Sequence, residues 1–322
     1  MSKATIRRVL AMTGATTLMV AMTAVLPAGA APGPSSHGYT WTAVNVPGSL
    51  VTEPLQINNE GVVVGVYSDG NGPNGFIERS GQYTTVNDPI GPSYLNGIND
   101  FGEIAGTVYP GSYSDGFIDV GGRFTTIQDP SADNSVGSGY GTEVVGINDF
   151  GQVVGTYMDS VGTLHGFIYS NGHYFTLNCP GAGTGFNPNS DAGSNGTVMS
   201  YVSSLGAISG SCITGASTGN YYYNFIYSNG HYTTLPYVPG ATLTELSWVN
   251  DLGVSGGWYE NSGGIWNGYT YNQGQFTTIV DPAGAYGIYP VGANDVGAMV
   301  GYYLDSDGNI NGFLMTPNAF GH

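Results

Sequence analysis

Six positions spread along the chain could do chemistry together: Glu53, Tyr94, Glu143, Val198, Glu245 and Tyr289. Each stands five residues before a recurring Asn or Ser, at 58, 99, 148, 203, 250 and 294. Three of the six are glutamates, preceded by Thr52, Thr142 and Thr244. They fall in the first, third and fifth copies of a repeat, so a ring of six copies brings them to a central mouth with threefold symmetry. Carboxylates brought together repel one another. Either one keeps its proton, or a divalent cation such as calcium is drawn in. A protonated carboxyl beside an ionised one is also the acid/base pair that hydrolyses glycosides. We therefore take Glu53, Tyr94, Glu143, Glu245 and Tyr289 as candidate ligand-binding residues, with Glu53, Glu143 and Glu245 as candidate metal ligands. The plainer expectation is that these glutamates point into solvent at a rim or cap backbone amides. No residue is assigned a catalytic role.

Weaker candidates surround this column. Tyr221, Tyr222, Tyr223 and Trp266 fall in or beside loops expected on the same face as the mouth. Exposed Tyr and Trp stack on sugars and anchor protein partners, so Trp266 joins the candidate ligand-binding set. Alternation along a strand would instead pack half of such residues between repeats. His165 is the one histidine expected on that face, whereas His173 and His231 occupy equivalent hairpin turns. Asp305-Ser306-Asp307-Gly308-Asn309 could wrap calcium, but it lacks a following bidentate Glu and reads as a polar turn. Asn187-Pro188-Asn189-Ser190-Asp191 reads the same way. There is no G-x-S-x-G elbow, H-E-x-x-H pair, P-loop, dinucleotide fingerprint or sialidase-type S-x-D-x-G-x-x-W box. The two cysteines, Cys179 and Cys212, each break the repeat pattern in adjacent copies, which predicts a disulfide between them.

The elements that must hold these residues are legible from the repeat itself. The pattern I-N-D-x-G-x-x-x-G recurs from Ile57, Ile98, Ile147, Val202, Val249 and Ala293. Successive Asn/Ser positions lie 41, 49, 55, 47 and 44 residues apart, the period of a four-stranded propeller blade. In the second copy the strands are expected at residues 94–98, 103–108, 116–120 and 124–127. Asn-Asp-x-Gly and Asn-Gly make the hairpins between them. The sixth copy runs only to its Gly312-Phe313 strand, and the missing fourth strand is found at residues 41–47. A closed ring explains that split. The expected fold is all-β, a six-bladed β-propeller of four-stranded blades with velcro closure by the N-terminal strand. It is a single domain over residues 31–322. Its units lie near 51–90, 91–131, 141–181, 196–240, 242–283 and 287–316 plus 40–47.

The wording of the repeat resembles the HAF family of extracellular repeat proteins, named for a His-Ala-Phe element. That element reads His165-Gly166-Phe167 here, and the I-N-D-x-G-x-x-V-G and T-T-h-x-x-P-G-A elements match more fully. The resemblance covers residues 38 to about 317 and implies the repeat architecture but no assigned activity and no catalytic residue.

Composition sets the surroundings. Residues 1–30 read as a secretory signal, with Lys3, Arg7 and Arg8 ahead of an apolar run and Ala28-Gly29-Ala30 as a cleavage site. Beyond them the chain keeps two arginines against 22 acidic residues, a net charge of −20. Such a surface repels nucleic acid, and no other apolar run is long enough for membrane insertion. The sequence thus predicts a secreted, extracellular monomer that binds a glycan or protein at one face. The alternative is a secreted enzyme acting on a carbohydrate or lactone with the mouth carboxylates.

Overall fold

The computed structural model describes residues 38–111, 113–133, 140–185, 194–214, 221–280 and 287–318. The expected signal at 1–30 and the loop at 187–191 lie outside them. All regular structure described is β. Strand β1 spans Tyr39–Ala43. Strands β2 (Val51–Ile57), β3 (Val63–Ser68), β4 (Pro73–Arg79) and β5 (Gln82–Val86) pair in chain order as one antiparallel sheet. Strands β6 (Ser93–Ile98), β7 (Ile104–Val108), β8 (Asp115–Val120) and β9 (Arg123–Ile127) form the next. These four fall within a residue or two of the places expected for them.

Strands β10 (Thr142–Ile147), β11 (Val153–Met158), β12 (Leu164–Ser170) and β13 (His173–Thr176) pair in the same way. So do β14 (Gly196–Val202), β15 (Ile208–Thr214), β16 (Tyr221–Ser228) and β17 (His231–Thr234). One parallel bridge, Leu164 to Gly196, joins these two sets. Strands β18 (Ala241–Val249), β19 (Ser255–Asn261), β20 (Trp266–Asn272) and β21 (Gln275–Ile279) follow. A bridge from Trp266 to Gly287 links them to β22 (Gly287–Ala293), β23 (Met299–Leu304) and β24 (Ile310–Pro317). Strand β1 lies antiparallel against β24, with Trp41 opposite Met315.

Among the described residues no sheet closes on itself; the sets meet face to face instead. Apolar side chains fill the seams. Val64, Leu95 and Ile98 pack between the first two sets, and Ala105, Val144 and Phe167 between the next two. Val44, Ile57, Phe76 and Val300 bring the last strands against the first. The fold is therefore all-β and propeller-like.

One glycine column decides where the innermost strands run. A Cβ on Gly65, Gly106, Gly155, Gly257 or Gly301 would lie 2.1–2.2 Å from the carbonyl oxygen of Glu53, Tyr94, Glu143, Glu245 or Tyr289 respectively. Only glycine lets the first strand of each set lie so close on the second. Each first strand also carries a bulge just past this contact, as between Pro54 and Gln56 or Val144 and Gly146.

The repeated Asn does more than make a turn. The Asn58 Oδ1 accepts the Val62 N–H at 2.9 Å within its own hairpin, while its Nδ2 donates to the Asn99 carbonyl of the next at 3.0 Å. Asn99 donates likewise to Asn148 O, Asn250 to Asn294 O, and Asn294 back to Asn58 O. The following residue adds a second circuit. The N–H groups of Asn59, Asp100, Asp251 and Asp295 donate to side-chain oxygens of Asp100, Asp149, Asp295 and Asn59. Where Ser203-Ser204 replaces Asn-Asp, the circuit continues through Asp149 N–H to Ser204 O and Leu205 N–H to Asp251. The bonds pass through all six turns and return to the first.

Cys179 and Cys212 form a disulfide, with S–S 2.04 Å and Cα–Cα 5.9 Å. It ties the loop after β13 to β15.

Asn294→Ala removes both its 2.9 Å bond within the turn and its 3.0 Å bond to the first turn. The Asn58 carbonyl and the Ala298 N–H are then left without these partners in a buried seam. We expect a loss of about 2–3 kcal/mol, read as a lower urea midpoint with unchanged slope.

Candidate functional site

The first strand of each set alternates between seam and mouth. In β2, Val51, Glu53 and Leu55 keep partial exposure while Thr52, Pro54 and Gln56 are buried. The buried hydroxyl ahead of the mouth residue holds a backbone amide. Thr52 Oγ1 accepts the Val46 N–H, Ser93 that of Asp88, Thr142 that of Asp129, Thr197 that of Cys179 and Thr244 that of Val238. Each clamps the incoming loop to the top of its strand. The threonines that precede the glutamates are thus positioning residues for the mouth.

Glu53, Tyr94 and Glu143 occupy neighbouring places along one arc. Tyr94 stands between two carboxyls: burial first, then the charges of Glu53 and Glu143, push its hydroxyl pKa up. Its ring meets Tyr109 edge-on, with centroids 5.7 Å apart. The Tyr109 hydroxyl donates to Glu143 Oε1 at 3.4 Å. Tyr140 is also held up, by burial and then by the charge of Glu143. Both carboxyls keep some contact with solvent, yet protein walls them closely. Burial raises Glu53 to about 7 and Glu143 to about 8, the Tyr109 hydrogen bond partly opposing the latter. Among the described residues neither meets a cation. Glu143 opens onto a cleft lined by Tyr140, Val145, Met158, Leu164 and Val198, so one wall of the mouth is apolar.

Glu245 sits apart. The Tyr222 hydroxyl donates to its Oε2, and that hydroxyl also bonds Ser211 Oγ at 2.6 Å. The Tyr269 hydroxyl donates to its main-chain carbonyl at 3.1 Å. Among the described residues no three His, Cys, Asp or Glu side chains gather into a group able to hold a metal ion. Glu53, Glu143 and Glu245, expected as a metal set, are therefore not brought together into such a group. The strands that carry these residues are held apart around the axis by intervening strands, and a tyrosine hydroxyl donates to each of the Glu143 and Glu245 carboxyls.

Tyr289, expected at the mouth, and Trp266, expected as an exposed loop aromatic, are both buried. Tyr289 is 3 % exposed and Trp266 7 % exposed. Both pack with Trp258, whose ring lies 5.5 Å from Tyr289 and 5.0 Å from Trp266. Their indole and phenol faces fill the seam between β19, β20 and β22. Deeper along the axis, Tyr201 reaches across to donate to Ala293 O at 2.6 Å, and Gln56 Oε1 accepts the Ile98 N–H. The mouth therefore ends in a floor.

The remaining candidates have structural partners. His165 Nε2 lies 3.0 Å from Asp159 Oδ2, its Nδ1 lies 2.9 Å from the Asn178 amide, and its ring stacks on Tyr157. Asp305 accepts the N–H groups of Asp307 and Asn309 and the side-chain amides of Asn309 and Asn311, so it closes its own turn. Tyr109 and Tyr140 are mouth residues that reasoning from the sequence missed. They follow the second strand and precede the first, so no single repeat column marks them.

No protein-family model matches the chain, and no curated protein matches it. Several solved structures are similar to it. A gluconolactonase from Xanthomonas campestris is similar with a TM-score of 0.51 at 11% identity, over 91% of this chain and 99% of that one. The β-propeller domain of the trilobed protease from Pyrococcus furiosus has a TM-score of 0.49 at 11% identity, covering 85% of each chain. A lectin from Aleuria aurantia bound to a fucosylated GlcNAc has a TM-score of 0.48 at 11% identity, over 84% of this chain and 95% of that one. At such identities the likeness speaks to the fold alone.

The raised carboxyls fix the sign of a pH effect. The folded state holds protons that the unfolded chain releases above its ordinary value near 4.5, so stability falls as pH rises from there through about 8. Glu143→Gln removes its share of this slope. We expect the variant to match the parent near pH 4.5 and to exceed it at pH 8 by on the order of 3–4 kcal/mol, measured by urea unfolding at both.

Proposed function

We propose that the protein is an exported recognition module whose mouth takes a neutral, hydroxyl-rich ligand, a saccharide. The observation that carries this reading is Tyr94 held between the carboxyls of Glu53 and Glu143, with no cationic side chain beside either among the described residues. A carboxyl that titrates near neutrality donates as well as accepts, which matches sugar hydroxyls that do both. A tyrosine face beside it stacks on the apolar face of a sugar ring. The apolar wall below Glu143 then accommodates a ring methyl or an acyl substituent. The disulfide supports export, since such bonds persist in oxidising compartments. The signal-like residues 1–30 support it too, with residues 31–322 left as one domain. The recurring repeat supports membership of the HAF-type extracellular proteins.

The same proposal includes a closed ring of six four-stranded blades, monomeric, with β1 as the outer strand of the last. The pairing of β1 with β24 and the return of the Asn circuit to the first turn support it. Deleting residues 38–47 exposes the β24 edge, and we expect aggregation and loss of a cooperative melt. A truncated chain that melts like the intact one would rule the closure out.

A second reading is an enzyme acting on a carbohydrate or lactone. Its support is specific: two carboxyls near neutrality in one mouth are suited to proton transfer. A glycan array followed by calorimetry separates the two. For binding, Tyr94→Ala should weaken the selected glycan by about tenfold or more while the ligand is recovered intact. Turnover of an oligosaccharide or an aldonolactone that Glu143→Gln abolishes would favour the enzyme. Absence of any glycan bound more tightly by the parent than by Tyr94→Ala would remove the binding reading.

A further inference from the structure

At the end of the axis away from the mouth, the six turns of the Asn circuit each push one side chain outward. It is the third residue of the turn: Glu60, Phe101, Phe150, Leu205, Leu252 and Val296. Five of the six are large and apolar, and they are 75, 66, 66, 71 and 66 % exposed in chain order. Neighbouring turns are hydrogen-bonded to one another, so these side chains form a crown rather than scattered spots. The turn does not require this. Only the main chain of this residue takes part in the hydrogen bonds, and a polar side chain such as Glu60 occupies the position equally well. A soluble surface seldom presents so many large apolar side chains together without a partner.

The hub inside the crown is acidic. Asp100, Asp149, Asp251 and Asp295 ring the axis, each partly exposed. Their charges act on one another. Burial raises Asp149, and Asp100, Asp295 and Glu103 add to the shift; burial raises Asp251, with Asp295 adding. No lysine exists beyond Lys3, and Arg79 and Arg123 stand at the outer β4–β5 and β8–β9 hairpins. A second copy docked crown to crown would set two acidic hubs face to face. An apolar ring around an acidic centre that meets N–H donors but no cation among the described residues fits the opposite pattern.

We infer that this crown is a docking surface for a protein partner that presents a lysine or arginine surrounded by apolar side chains. The apolar contacts supply the area, and the basic group meets the aspartates at the axis. This surface is separate from the mouth, so its occupant and a mouth ligand can bind together.

The test uses the purified, disulfide-bonded protein and fluorescently labelled synthetic peptides, read by anisotropy. One peptide combines leucine and lysine, a second leucine and glutamate, a third serine and lysine. We expect the leucine–lysine peptide to bind at least about tenfold more tightly than either other, with affinity falling as salt rises. A Phe101→Ser, Phe150→Ser, Leu252→Ser variant should lose that binding by a similar factor while melting like the parent, since all three side chains are exposed. Asp251→Asn and Asp295→Asn together should weaken the leucine–lysine peptide and remove most of the salt dependence. Equal binding of the leucine–glutamate peptide, or unchanged binding by the triple variant, overturns the inference. So does a dimer in light scattering that the triple variant dissolves, or binding to phosphatidylcholine vesicles that the triple variant abolishes when no peptide binds.

Discussion

A single carboxamide, repeated around the axis, holds this molecule together. Asparagine can do this because it carries an acceptor and a donor on one rigid plane. The acceptor closes its own hairpin and the donor reaches the main chain of the next, as Asn58 does toward Val62 and Asn99. Aspartate would lack the donor, and glutamine would overshoot. Serine keeps the first of these roles and reaches a side chain of the next turn, Asp251, rather than its main chain. Ser203 Oγ accepts the Ala207 N–H at 2.8 Å, and the main-chain link passes to its neighbours. The hairpins brought together in this way fix where each innermost strand begins. The glycine column then fixes how closely the second strand lies on it.

The mouth inherits its geometry from those constraints. Its residues are spaced by the strands rather than by contact with one another, which is why three glutamates in one repeat column do not become one site. Neighbouring strands do meet, and so Tyr94 feels Glu53 and Glu143 while Glu245 keeps company with Tyr222 and Tyr269. Filling the axis below them with Tyr201 and Gln56 leaves a cup open on one side.

Electrostatics in a chain with so few cations follow an unusual rule. Among the described residues, many carboxylates are met by backbone N–H groups. Glu78 accepts from Gly81, Asp88 from Ile90, Asp119 from Gly122 and Asp129 from Ser131. Asp159 adds an imidazole partner, His165, at 3.0 Å. Against that background Glu53 and Glu143 stand out. Burial opposes their charge, and they sit where a ligand can reach them.

The repeat made much of the fold legible. Strand positions in the second copy and the pairing of residues 41–43 with the last strand follow from columns of like residues, and the Cys179–Cys212 bond from two breaks in them. Glycine, asparagine and cysteine each answer a local demand, so their spacing reveals it without knowledge of the whole. The glutamate column was equally visible, but convergence was not. Whether two side chains on different strands meet depends on strand separation, bulges and what fills the axis, and none of these is local. Burial is decided the same way: Trp266 reads as a surface aromatic and Tyr289 as a mouth residue until neighbouring strands cover them. Sequence alone determined the repeating unit and its hydrogen-bonding grammar. Only the tertiary structure decided which carboxyls share a tyrosine and which apolar residues stay in water, because those outcomes belong to distances between repeats rather than to any repeat itself.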